Sequence, residues 1–160
     1  MNDINEVIVI NDLKDLFHKW SGEEPDHIDF LPESGSIRRY YRMKNNNLKA
    51  VGVFNPDVRE NRAFLYLSAH FKQKGLNVPE VYASNLDKHI YLEEDLGNTL
   101  LYNYYVDHIN DEESIVNIYK SVIREMPALQ MESAKGLDFS ICYPRAAFDR
   151  QSMIWDLNYF

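Results

Sequence analysis

Strand-like texture is confined to two blocks of this sequence, 27–55 and 78–92, with one helical segment between them, and that arrangement limits the possible folds more than any other feature. In the first block Ile, Phe, Tyr and Val come in short runs, separated by Ser34-Gly35-Ser36 and by Asn45-Asn46-Asn47, both turn compositions. The pattern predicts three antiparallel strands, near 28–33, 37–44 and 48–54. Asn55-Pro56-Asp57 is a helix start, with Asn able to cap and Pro favoured at the first helical position. Phe64, Leu65, Leu67 and Phe71 follow at helical spacing up to Gly75. Val78 to Ala83, the turn Asn85-Leu86-Asp87-Lys88 and the run Ile90-Tyr91-Leu92 read as two further strands, completing a sheet of about five.

After Leu96-Gly97 the sequence turns helical. Asn110 and Glu113 have capping-box spacing, and Ile115, Ile118, Tyr119, Val122, Ile123 and Met126 form one apolar face before Pro127, which should bend or end the helix. Residues 133–148 read as loop. A last helix from about Asp149 carries Met153, Ile154, Leu157 and Phe160 on one side. At the other end, Leu13, Leu16, Phe17 and Trp20 form the stripe of an amphipathic helix over about Ile4–Trp20, ended by Ser21-Gly22. Strands packed with one helix and followed by helices alone give an α+β chain rather than alternating βαβ units. We divide it into 1–97, a sheet-bearing lobe, and 98–160, the first helices of an incomplete helical lobe.

Hydrophobic residues make up 45% and charged residues 26% of the sequence, the balance of a folded globular domain. The net charge of −8, with Lys and Arg scattered, offers a phosphate backbone no basic stripe, so nucleic acid is not an expected partner. Cys142 is the only cysteine, and the first residues have neither a basic start nor an apolar run of signal length. A cytoplasmic protein without membrane contact is expected. The five histidines are dispersed with no ligand spacing, so no metal site is assigned.

Two segments carry chemistry. Ser34-Gly35-Ser36 is a small-residue turn feeding the aromatic and basic strand Ile37-Arg38-Arg39-Tyr40-Tyr41-Arg42. Backbone N–H groups of such a turn can approach phosphate oxygens, although an ordinary hairpin turn has the same composition. Ile90 to Asn98 runs a strand into a Gly turn and then a helix, a linker that could present backbone groups to a flat base. A strand end with a solvated acidic run would read alike. Glu93-Glu94-Asp95 is not a catalytic carboxylate pair, because consecutive strand residues point to opposite faces.

Together, and in this order, these segments resemble the aminoglycoside phosphotransferase and choline kinase superfamily, above all the bacterial kinases of cell-wall recycling that phosphorylate N-acetylmuramate and N-acetylglucosamine at the anomeric hydroxyl. Ser34 to Arg42 is similar to that family's Ala-Ser-Phe-Arg-Arg-Tyr-Phe-Arg strand. Val78-Pro79-Glu80-Val81 is similar to its Val-Pro-x-Val segment, and Glu94-Asp95-Leu96-Gly97 to its Glu-Asp-Leu-Gly hinge. Phe148-Asp149 and the helix after it look like the segment just before the catalytic loop. The resemblance implies a protein-kinase-like amino-terminal lobe, with Ser34, Gly35 and Ser36 over the triphosphate of ATP and with Glu93, Glu94, Asp95 and Leu96 as the hinge beside adenine. Glu60, early in the crossing helix, is its candidate for the acidic residue that positions phosphates through a basic partner. A first-turn glutamate favoured by the helix dipole is the plainer reading.

The sequence departs from a generic kinase where many place a phosphate-binding lysine, since Val53 or Phe54 stands there and Lys49 lies too early. The sugar-kinase branch also lacks that lysine. Arg38, Arg39 or Arg42 could supply the charge, whichever faces the turn by strand alternation, and Arg39 is expected among the nucleotide contacts. Phosphoryl transfer also needs a base and Mg²⁺ ligands. In this superfamily they come from a His-x-Asp loop and a later Asp motif downstream of the last helix read here, so no catalytic residue is assigned. The expectation is the ATP-binding portion of a phosphotransferase acting on a sugar or other small alcohol, inactive alone and self-associating through its apolar helices. A nucleotide-binding or regulatory module working through a partner chain, and a purely structural α+β domain, are the competing readings.

Overall fold

The computed structural model describes residues 3–32 and 35–159. Five strands form one antiparallel sheet in the order β1-β2-β3-β5-β4: β1 His27–Phe30, β2 Arg39–Lys44, β3 Lys49–Phe54, β4 Val81–Asn85 and β5 Ile90–Glu93. Helix α1 spans Asp3–Ser21 and α2 spans Val58–Gln73, between β3 and β4.

The first hairpin is shorter than the pattern predicts. β1 stops at Phe30 and β2 starts at Arg39, with one further bond from Leu31 N–H to Tyr40 O at 2.9 Å. Pro32, which has no N–H to give, interrupts the ladder there. The second turn forms as read: Asn45 Oδ1 accepts the N–H groups of Asn47 and Leu48. β4 begins at Val81 rather than Val78 because Pro79 again lacks a donor, and Glu94 N–H to Glu80 O at 2.8 Å is what ties this stretch to the linker after β5.

Both predicted caps are displaced. Asp57, not Asn55, caps α2, accepting from Arg59 N–H at 2.9 Å and Glu60 N–H at 3.2 Å. Its negative charge complements the helix dipole as asparagine cannot. Asp111, not Asn110, caps the long helix Glu112–Pro127 through Ser114 N–H. At the far end of α2, Gly75 at φ 75 lets Leu76 N–H reach Phe71 O while Gly75 N–H bonds Lys72 O, closing the helix with a left-handed residue that costs glycine nothing.

The sheet carries a helix on each face, where the sequence reading allotted it one. Val9, Leu13, Leu16 and Phe17 of α1 are buried against Tyr41, Met43, Ala50, Ile90 and Leu92. On the opposite face Phe64 and Leu65 of α2 cover Val51, Val53 and Tyr91. The run Ala50 to Val53 is therefore apolar in both phases, as a strand covered on both sides must be. Gly52 is there for space: a Cβ would lie 2.9 Å from both Leu13 Cδ2 and Met43 Sδ.

Beyond the sheet lie α3 Leu101–Asp107, α4 Glu112–Pro127, a π-helical turn Ala128–Glu132, a 3₁₀ turn Phe139–Ile141 and α5 Arg150–Tyr159. Every buried apolar residue lies at or before Leu92 among the described residues. Tyr119, Val122, Ile123 and Met126 of α4 and Leu157 of α5 are exposed; Phe160 lies outside the described residues. The carboxy-terminal region is tied to α2 by polar contacts: His70 Nε2 to Ser133 O at 2.6 Å, Asp138 N–H to Tyr66 Oη at 2.8 Å, and Arg59 to Tyr143 Oη at 3.2 Å. Among the described residues no helix is long and apolar enough to cross a membrane.

Candidate functional site

Strand alternation divides the basic strand between two surfaces. Tyr41 and Met43 point into the α1 core, so Tyr40 turns to the α2 face with Val53, its partner across the ladder. Arg38 and Arg42 share the phase of Tyr40, and Arg39 takes the other.

Arg38 reaches the first turn of α2, where Nη2 donates to Glu60 Oε1 at 2.9 Å. The pair is mostly shielded from solvent, with the two side chains 15% and 36% exposed. Glu60 is gripped from its other oxygen by Asn55 Nδ2, also at 2.9 Å, and Asn55 is itself buried. The guanidinium stands 5.2 Å from the centre of the Phe64 ring, and Arg38 N–H donates to Ser36 Oγ at 3.3 Å. The turn, the strand and the helix therefore meet at one arginine. Glu93, at the end of β5, belongs to the same surroundings: burial pushes its carboxyl up to about 7, an effect that Arg38 partly offsets. Polar capacity is left over here, because Arg38 Nε and Tyr91 Oη are buried without a hydrogen-bond partner.

Arg42 performs a second task, at the linker after β5. It donates to Asp95 Oδ1 at 2.9 Å, Asn98 Oδ1 at 2.7 Å and Gly97 O at 3.2 Å. Asp95 Oδ1 also accepts Gly97 N–H at 3.0 Å, with Gly97 at φ 83. Burial alone would raise the Asp95 carboxyl, but the guanidinium and the Gly97 N–H outweigh it and hold it below the ordinary carboxylate range. The linker is thus shaped by side-chain bonds before any ligand is considered.

A scan against family models, a search of curated proteins and a search of solved structures each found no match to this chain.

The residues singled out from sequence fall into distinct groups. Glu60 and Glu93 gather around Arg38, and Asp95 is fixed by Arg42. Glu94 turns toward the start of β4, accepting Glu80 N–H at 3.2 Å and lying 3.8 Å from Lys72 Nζ. Leu96, Gly35 and Ser36 are exposed. Ser34 lies outside the described residues. Arg39 is not brought to this site: it sits on the α1 face, 4.7 Å over the Phe54 ring. Asn55 and Phe64, which the sequence presents as helix cap and helix stripe, also hold Glu60 and Arg38, a part that no local sequence signal assigns them. The signal available for the arginines was phase, since Tyr41 and Met43 in the core force Arg38 and Arg42 to the far side.

Proposed function

We propose that this chain is the nucleotide-binding part of an ATP-dependent phosphotransferase whose acceptor is the hydroxyl of a sugar or other small molecule, working in the cytoplasm. The observation that carries the reading is the Arg38–Glu60 ion pair at 2.9 Å. A phosphate-positioning cation held by a helical glutamate is a recurring part of kinase sites. Here Val53 stands toward the Arg38 end of β3 on the α2 face, with Lys49 four residues earlier at the far end of that strand, and Arg38, just before the neighbouring strand, takes the cation's place. A five-stranded antiparallel sheet with a helix crossing between its third and fourth strands supports a protein-kinase-like lobe.

The residues fit a nucleotide. Arg38 and Arg42 lie four residues apart on one face of a strand, about 13 Å at the rise of an extended chain. In this reading the exposed turn at Gly35-Ser36 covers the phosphates at one end, and the linker after Glu93, braced by Arg42, lies against the base at the other. The unpartnered Arg38 Nε, fixed by Glu60 and Phe64, is a donor suited to a phosphate oxygen. A bound Mg²⁺ would neutralise charge on those oxygens.

Calorimetric titration with Mg·ATP tests this. The wild-type chain should bind, Arg38→Ala should weaken binding roughly tenfold or more, and Gly35→Val should weaken it while leaving the melting temperature unchanged. The last expectation follows because a Cβ at Gly35 meets no atom within 4 Å, so the fold has no use for glycine there. Binding that Arg38→Ala and Gly35→Val both leave intact would put the nucleotide elsewhere.

A further inference from the structure

A cavity of about 1090 Å³ opens beside α1; its walls include none of Glu60, Glu93 or Asp95, but Ser36 and Arg38 border both it and the surface just described. It lies between the first turns of α1, the segment after Gly35 and the 3₁₀ turn Leu86–Lys88. Ile8, Phe30 and Ile37 stand exposed around it, three large apolar side chains facing one hollow. Charged side chains share the walls with them: Glu6, Asp12, Asp87, Arg38, Arg39 and Lys88, of which Arg38 is held by Glu60.

The charges lining it do not cancel one another. Asp12 is occupied by Lys88 Nζ at 2.5 Å. Among the described residues, no carboxylate pairs with Arg39, and no cation pairs with Glu6 or Asp87. Arg39 lies over Phe54, which leaves the in-plane N–H groups of its guanidinium free for an oxyanion. Arg39 and Glu6 both line the cavity, so a free positive and a free negative group border one hollow. The wall behind them is fixed. His89 holds a left-handed backbone, φ 59, which few non-glycine residues accept. Its carbonyl is held by Asn55 N–H at 3.0 Å and its ring stands edge-on to Phe54.

An organic anion entering here would meet Glu6 and Asp87, and an organic cation would meet Arg39. An uncharged apolar molecule would strip water from all three and pair with none. We propose that this cavity binds a small zwitterion with an apolar body, an amino acid with an aromatic or branched aliphatic side chain, its carboxylate on Arg39 and its ammonium toward Glu6. The proposal does not rest on nucleotide binding, although Ser36 and Arg38 border both places: it turns on Arg39 and Glu6, which the nucleotide reading does not use.

Three probes of one shape separate the charges: L-phenylalanine, 3-phenylpropanoate, which lacks the ammonium, and phenethylamine, which lacks the carboxylate. Titrated into the ¹⁵N-labelled chain, L-phenylalanine should move the amide signals of Ile37 to Arg39 and Leu86 to His89, and each analogue should bind about tenfold more weakly. Arg39→Gln should abolish the effect of L-phenylalanine, and Glu6→Gln should erase its advantage over 3-phenylpropanoate. Ile37→Asp, at an exposed position that folding does not need, should weaken L-phenylalanine as well, which guards against misreading an unfolded Arg39 variant. No response to any probe, binding untouched by Arg39→Gln, or 3-phenylpropanoate binding as tightly as L-phenylalanine would overturn the proposal.

Discussion

Arg42 and Asp95 are the ion pair most removed from solvent, with side chains 16% and 5% exposed. Removing one member leaves the other buried and uncompensated, a loss of about 3 kcal/mol, whereas removing both spares that penalty. In a double-mutant cycle by urea unfolding, Arg42→Ala and Asp95→Ala should each destabilise strongly, and the double variant should be more stable than additivity requires by about 1.5 kcal/mol or more. Additive effects would mean that the linker is held by Asn98 and Gly97 alone. Glu93 gives a prediction in pH. Below the ordinary carboxylate range the folded and unfolded chains both hold its proton. As pH rises from the reference value of 4.5 toward 7, the unfolded chain releases that proton first, so stability falls. Above 7 both states have lost it and the loss levels off at roughly 3 kcal/mol. The difference in stability between wild type and Glu93→Gln should therefore change between about pH 4 and 8 and be flat on either side; a constant difference would refute the raised carboxyl.

Among the elements, β3 carries the tightest requirement. Leu13 Cδ2 and Met43 Sδ are free ends of side chains, yet both residues are 0% exposed and have no solvent to swing into. Gly52→Ala should cost about 1–3 kcal/mol by overpacking, and Gly52→Val more, read from the urea midpoint. A stabilising Gly52→Ala would show that α1 can retreat from the sheet. What the sequence made legible at this scale were stripes and breakers: the α1 face from Leu13 to Trp20, the turn at Asn45, and the return of the chain after Gly75 all lie where their patterns put them. The caps moved because Asn55 and Asp57 are equally good cap residues by type, and only burial of Asn55 beneath Glu60 assigns the helix start to the aspartate. The strand ends moved because Pro32 and Pro79, each without an N–H to donate, interrupt runs whose texture is otherwise that of a strand. In the candidate site, Glu60 was legible only through the resemblance, since its place in a helix's first turn alone reads as a dipole-favoured glutamate. Its partner was not, because three arginines share one short segment and their faces follow from a register that only the core residues Tyr41 and Met43 decide.

At the scale of the molecule the two regions are held by different forces. The sheet and its two helices enclose the buried apolar residues, while α3 to α5 keep Tyr102, Val106, Ile123, Met126, Trp155 and Leu157 exposed and the segment between α4 and α5 meets α2 through hydrogen bonds at Ser133 and Asp138. Exposed apolar area on this scale promotes association. Sedimentation velocity should show mass rising with concentration, and Ile123→Glu with Leu157→Glu should reduce it without altering the unfolding of the sheet region. A monodisperse monomer at all accessible concentrations would refute this. The last consequence belongs to the basic strand. Arg38 and Arg42 serve one surface and Arg39 the other, with the buried Tyr41 and Met43 fixing which is which. Sequence drift can exchange arginine for lysine or tyrosine for phenylalanine there at modest cost, but it cannot shift the series by one position without emptying the core. Parity along this strand, rather than the identity of any one residue, is the trait that should persist longest in its descendants.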